Sequence, residues 1–423
     1  MFDTATDLFP DVGVLADMTE PTADVAPEEV TLHGLPGLVP GSDLAQVVAA
    51  AWSGHNVIVK APPGGGKTHL LARVAAWLAV GAGLKVEIVA FTREQRDQIA
   101  LRVHDVVPGR VKLHSGKSGT SVPSTVFNVP GVAPLIGVRT VASARMSPPE
   151  ADVILVDEAW QLPFADVSAA AGASQQIIMV GDPGQIGPVI TADTSGWENL
   201  AVPPHHPAPE AFQRLAPFKS NMVTVTMKQT YRLGSETAAL VSGFYDWPFA
   251  SARPALVLTD ASGAVLPELT QRVSPVATST DDPAMLRTVT EAALSLVGGT
   301  VTGNDGSLPL DDSQIAVVVS RNSQLTAVAA MLRDKGRPDI VVGTADKLQG
   351  GQWTAVVALD PSTGADDVAG RSVTDGRACV MLSRHTAHLT WVHDGTSIER
   401  MVDAGCSARG ISVRRTLTDL PVR

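Results

Sequence analysis

The chain predicts an α/β protein built on parallel sheets in two halves, and three observations predict it. From about Thr31 to Val189, short Val/Ile-rich runs alternate with alanine-rich stretches of helical spacing. A second alternation of the same kind begins near Met222 and runs to about Val392. In the first half, the glycine-rich segment Ala61-Pro-Pro-Gly-Gly-Gly-Lys-Thr68 stands directly behind the apolar run Asn56-Val-Ile-Val-Lys60. Strands that alternate with helices pair in parallel, and the helices cover both faces of the sheet.

In the first half the spacing predicts strands at Asn56–Lys60, Val86–Phe91, Gly137–Val141, Val153–Val156 and Ile177–Val180. Helices are expected at Leu44–Trp52, His69–Ala79 and Arg93–Val103. A Gly/Pro/Ser-rich insertion at about 105–137 is either an elaborated loop or a very small subdomain. The proline-rich stretch Ala201–Pro217 is the expected bridge between the halves. In the second half, strands are expected at Val223–Met227, Ala255–Leu258, Gln314–Val319, Ile340–Val342, Thr354–Leu359 and Thr390–Val392. The helices expected there are Ser235–Tyr245, Ala284–Val297, Ser323–Leu332 and Gly376–Ser383. The division is a leader at 1–30, a first domain at 31–221 and a second at 222–423.

Length and composition fit two compact domains: 423 residues, 44% hydrophobic and 18% charged. No apolar stretch is long enough to span a bilayer, so no membrane association is expected. Two cysteines, Cys379 and Cys406, make no disulfide framework, and no Cys/His spacing suggests zinc. A reducing bacterial cytoplasm is the expected compartment, the chain being bacterial or a phage protein in a bacterial host. Much of the formal charge of −11 sits in the leader, which holds Asp3, Asp7, Asp11, Asp17, Glu20, Asp24, Glu28 and Glu29 and no lysine or arginine. It reads as a mobile acidic tail. This tail is either a plain solvated terminus or a strip that competes with nucleic acid; it and the exposed tail after Arg409 are candidate docking segments for a protein partner.

Three clusters carry chemistry. In the glycine-rich turn, Pro63, Gly64, Gly65 and Gly66 let backbone N–H groups face a phosphate, Lys67 adds a point charge, and the Thr68 hydroxyl suits Mg²⁺. The helix that follows, starting with His69, aims its positive end at the anion. Val153-Ile-Leu-Val-Asp157-Glu158 ends a buried strand in two acids. Asp157 can hold Mg²⁺ through water, and Glu158 can act as general base on an attacking water. The next strand exits into Gly181-Asp-Pro-Gly-Gln185, whose terminal amide can donate to a γ-phosphate and orient water.

Taken in order, these segments resemble superfamily 1 helicases over roughly Leu38 to Asp394. Ala61–Thr68 is similar to motif I of that family, Ala90-Phe-Thr92-Arg93 to motif Ia, Asp157-Glu-Ala-Trp160 to motif II and Gly181–Gln185 to motif III. Gln229-Thr-Tyr231-Arg232 resembles the Gln-x-Tyr-Arg segment, and Ile315–Gln324 resembles motif IV. Val342-Gly-Thr344-Ala-Asp-Lys-Leu-Gln-Gly350 resembles motif V, and Val380-Met-Leu-Ser-Arg384 resembles motif VI.

The resemblance implies two RecA-like P-loop domains with ATP in the cleft between them. Gln46 would grip adenine, and Arg232 and Arg384 would serve as arginine fingers. Gly350 and Gln352 would lie near the sugar, with Gln352 replacing the family's ribose-contacting Glu. Thr92, Arg93, Ser143 and Thr344 are the implied phosphate contacts to single-stranded DNA or RNA. Tyr231 and Trp160 are expected to pack in the core, while Trp353 either packs or stacks on a base. Lys112, His114 and Lys117 either approach a duplex or belong to a solvated loop. About twenty residues separate Arg321 from Gly343, too few for the inserted domain of the Rep- and UvrD-like members, so the compact Upf-like and viral replicative branch is the nearer likeness. The expected activity is a nucleic-acid-stimulated ATPase, a monomeric helicase or translocase using ATP and Mg²⁺. The alternative is an ATP-gated clamp or loading module that never unwinds.

Overall fold

A computed structural model describes residue 35 and residues 37–114, 122–172, 174–370 and 373–422. The acidic leader and Lys117 lie outside the described residues. The chain divides into two compact units. The first takes the chain up to Ala61 with Gly66–Pro183 and Gly187–Met227, and the second takes Pro62–Gly65, Gly184–Ile186 and Lys228–Arg423.

The first unit is one seven-stranded sheet. Its strands are β1 (Asn56–Lys60), β2 (Val86–Ala90), β3 (Val111–Leu113), β4 (Ile136–Thr140), β5 (Val153–Val156), β6 (Gln176–Gly181) and β7 (Met222–Thr226), ordered β3-β4-β2-β5-β6-β1-β7. Every pairing is parallel. Both faces are buried, as continuous Val/Ile runs require. Val57, Val59 and Ile88 join one core with Leu71 and Trp77. Ile58, Val89 and Ile154 join the opposite core with Met179 and Phe212.

Two expectations are corrected here. Met222–Thr226 does not open the second half: it pairs with β1, Val57 opposite Val223. That pairing gives β1 partners on both sides and makes β7 the edge strand, and it moves the boundary from 221/222 to 227/228. The proline-rich stretch is not a bridge either. Pro163 pairs with Pro207, Pro209 opens the helix Ala208–Arg214, and the Phe164 and Phe212 rings meet edge to face at 5.1 Å. Proline in a first helical turn starts a helix rather than a linker.

The second unit adds β8 (Gln229–Thr230), β9 (Ala250–Ser251), β10 (Val257–Thr259), β11 (Val265–Leu266), β12 (Leu269–Val273), β13 (Thr300–Gly303), β14 (Gly306–Pro309), β15 (Ile315–Val319), β16 (Val341–Thr344), β17 (Trp353–Leu359) and β18 (His385–His393). Five of them form a parallel sheet ordered β12-β18-β17-β15-β16. Ile315, Val317 and Val319 face one core, while Ala316 and Val318 face the other. β10 leaves the expected alternation for a small antiparallel sheet ordered β11-β10-β13-β14. Its hairpin turns at Asn304-Asp305, with Gly303 opposite Gly306 and Gly306 at φ +109°, a turn that favours glycine.

The chain after Arg409 is not an exposed tail. Ala408–Thr418 is a helix that buries Ile411, Val413, Arg414 and Leu417. Arg414 is 1% exposed and lies 3.5 Å from Asp360 and 3.8 Å from Asp375. Removing one partner of so deeply buried a pair strands the other's charge. Among the described residues, no helix is long and apolar enough to cross a membrane.

Candidate nucleotide site

In the first unit, β1 ends at Lys60 and the helix Lys67–Ala76 begins directly after the glycine-rich turn. Gly66 precedes it at φ 85°, and no side chain caps this helix start. Its first-turn N–H groups and its dipole are thus directed at whatever anion lies before them. Lys67 and Thr68 are its first two residues; His69, the third, is exposed.

Asp157 follows β5, one strand removed from β1 across β6, so both acids emerge at the carboxyl edge beside Lys67. The Lys67 Nζ lies 3.6 Å from Glu158 Oε1. Among the described residues Glu158 is the non-glycine residue with positive φ, at 50°, a conformation costing about 1–2 kcal/mol in an L-residue. Strain of this kind gathers at functional sites. Asp157 is 3% exposed, and its Oδ1 has no hydrogen-bond partner. Burial first, and then the Glu158 charge, push its carboxyl up to about 7, against the pull of Lys67.

In the second unit, Pro62–Gly65 packs on the segment that follows β8. Thr230 Oγ1 donates to the Pro63 carbonyl at 2.7 Å, and the Tyr231 N–H donates to the Gly64 carbonyl at 2.9 Å. Gly64 has φ +69°, and a Cβ there would stand 2.3 Å from Arg232 Cβ. Only glycine fits.

The two candidate arginines meet at Ser383. Arg232 donates from Nε to Gln352 Oε1 at 3.1 Å and from Nη1 to the Ser383 carbonyl at 3.4 Å. Arg384 is 1% exposed; it donates to the Val380 carbonyl at 3.0 Å, the Gly351 carbonyl at 3.3 Å and Ser383 Oγ at 2.9 Å. Gln185 Oε1 accepts from Gln349 Nε2 at 3.4 Å, and Gly350 follows at φ +89°.

Other candidates have local duties. Gln46 Nε2 donates to the Gly41 carbonyl at 2.9 Å. Thr92 caps the helix Arg93–Val106 in a capping box with Gln95, leaving Arg93 exposed at its first position. Thr344 caps Ala345–Leu348. The Ser143 N–H donates to Thr140 Oγ1 at 3.3 Å, the cap of the next helix. These caps stand at the carboxyl ends of β2, β4 and β16, where strand passes to helix.

Tyr231 corrects an expectation: it is 59% exposed rather than packed in a core. Neighbouring positions alternate between the interior and solvent, and Thr230 takes the interior one at 0% exposure. Trp160 is buried, and Trp353 is partly buried against the second core. Sequence reasoning misses Thr230, Ser383 and Gln349, hydroxyl and amide residues whose one signal is adjacency inside a motif. It also misses Arg253, which donates to the Arg232 carbonyl from 21 positions away and has no such signal.

Residues 45–191 match the family profile described as AAA domain. This stretch holds the segments Ala61–Thr68, Asp157–Trp160 and Gly181–Gln185, whose order resembles superfamily 1 helicases. A search of curated proteins finds no match. Among solved structures, the chain is similar to the PRRSV helicase at 16% identity and TM-score 0.45, over 87% of this chain and 58% of that one. It is similar to Arterivirus nonstructural protein 10 (helicase) at 18% identity and TM-score 0.46, over 86% and 64%. The complex of that arterivirus protein with DNA matches at 16% identity and TM-score 0.45, over 88% and 78%. The chain thus spans less than two thirds of the first two solved chains. The AAA domain match encloses the glycine-rich turn, both acids and Gln185.

Proposed function

We propose that the chain is an ATP-hydrolysing motor that moves along single-stranded nucleic acid. One observation carries the proposal. Behind a glycine-rich turn, Lys67 Nζ stands 3.6 Å from Glu158 Oε1, beside a buried Asp157 oxygen with no hydrogen-bond partner.

Each residue then has a task. The uncapped helix start and Lys67 hold the phosphates, and Gln46 reads adenine. Phosphate oxygens compete with Glu158 for Lys67, which frees Glu158 to take a proton from the attacking water. Gln185 orients that water, and Arg232 and Arg384 add positive charge to the transferring group. An unpartnered buried carboxylate oxygen suits a hard cation. Asp157 and Thr68 would hold Mg²⁺, which when bound offsets charge on the phosphate oxygens. Arg93, exposed at a helix start, contacts the strand backbone together with Thr92, Ser143 and Thr344.

Turnover of ATP and GTP with single-stranded DNA, single-stranded RNA and duplex, at several salt concentrations, tests this beside a strand-displacement assay. Stimulation by single strands that falls steeply with salt supports it. Stimulation without displacement or movement identifies an ATP-gated clamp instead. Absence of hydrolysis under every condition overturns both.

A further inference from the structure

We propose that Glu198, His205 and His206 form a binding site for a zinc-class divalent ion in the first unit. Each residue offers one ligand atom, and the three atoms lie within 4.8 Å of one another. His205 Nε2 stands 3.6 Å from Glu198 Oε1. Two imidazoles and one carboxylate are a ligand set that zinc accepts, with water completing the tetrahedron. Ligand atoms around such an ion lie about 3.3–3.6 Å apart, so a small closure completes the shell.

The parts that must be rigid are rigid. The Phe164 N–H donates to the His206 carbonyl at 2.8 Å, and the Ala165 N–H donates to the Pro204 carbonyl at 3.0 Å. Pro203, Pro204 and Pro207 restrict the backbone around the pair. Glu198 has a 56% exposed side chain and is the ligand that moves. Its Oε1 accepts the Thr194 hydroxyl at 2.9 Å, the kind of outer hydrogen bond that orients a ligating carboxylate. Trp197 stacks beside the His205 ring at 6.2 Å and shields that side. A bound ion joins the turn around Glu198 to the proline-flanked segment.

One neighbour works against it. Arg214 Nη1 lies 3.4 Å from His206 Nδ1 and places a cation beside the site. Arg214 is exposed, so it can leave, and its removal makes binding tighter.

The test titrates untagged full-length protein with Zn²⁺ against a chromophoric chelator and follows Co²⁺ binding by visible absorption. One equivalent is expected, with zinc raising the melting temperature. Affinity falls at least about tenfold in Glu198→Gln, His205→Gln and His206→Gln, rises in Arg214→Gln and is unchanged in Cys406→Ser. Should His205→Gln misfold by circular dichroism, Glu198→Gln decides, because its side chain is mostly in solvent. No uptake at micromolar zinc, or uptake unaltered in Glu198→Gln and His206→Gln, overturns the proposal.

Discussion

The Nη1 of Arg253 donates to the backbone carbonyl of Arg232 across 2.8 Å. Its Nη2 donates to the Thr386 carbonyl, two residues after Arg384. One guanidinium therefore holds together the two segments that bear the candidate arginines. Arg253→Met leaves two carbonyls without this donor and should cost about 1–3 kcal/mol in urea unfolding. ATP turnover should fall more than nucleotide affinity does. Unchanged stability and turnover would show that the clamp has no consequence.

Gly64→Ala tests the close approach between the glycine-rich turn and Arg232. The added methyl meets Arg232 Cβ in a backbone conformation that alanine rarely adopts. Weaker binding of a fluorescent ATP analogue is expected, with a melting temperature lowered by a few degrees. A variant that binds as tightly as the parent contradicts this packing.

Lys67→Ala and Glu158→Gln separate binding from chemistry. Lys67→Ala should lose phosphate affinity, since a point charge at a helix start is removed. Glu158→Gln should retain binding and lose about 10²–10⁴ in turnover, the range for a displaced general base. Equilibrium binding and single-turnover phosphate release together tell the two apart.

His385 makes the fold acid-sensitive. Its ring is wholly buried and Nε2 is bonded with the Thr237 hydroxyl at 2.8 Å. Burial, followed by the charge of His388 and then of Arg253, Arg232 and Arg384, lowers its pKa to about 3. Because this lies below the unfolded value near 6.5, the unfolded chain binds more protons between those limits. The stability is complete above about pH 6.5 and is lost as pH falls towards 3, at about 1.4 kcal/mol per pH unit for one such group. Urea midpoints measured from pH 7.5 to pH 5 should fall, and less steeply in His385→Gln if that variant folds. A pH dependence unchanged in a folded His385→Gln variant would contradict the buried neutral ring.

What the sequence made legible was local. Lys67, Asp157 and Glu158 lie at strand–loop–helix and strand–turn junctions, where a few neighbouring residues determine the geometry. The partner of a strand is not local. Met222–Thr226 has the apolar pattern of any buried strand, and only its parallel pairing with β1 places it in the first sheet. Thr92 and Thr344 were expected to touch nucleic acid, and their hydroxyls cap helices, because a threonine after a strand suits both tasks. The hairpin at Asn304-Asp305 is not legible in the sequence, because a glycine-rich stretch reads as loop. The contacts of Arg253 with Arg232 and Thr386 span up to 133 positions, and no spacing rule reaches that far.

The most direct measurement is steady-state ATP hydrolysis by the parent and Glu158→Gln, each with and without saturating single-stranded nucleic acid. The account predicts strong stimulation of the parent and none of the variant, although the variant still binds nucleotide. Equal rates in the two proteins, or a parent indifferent to the strand, would contradict it.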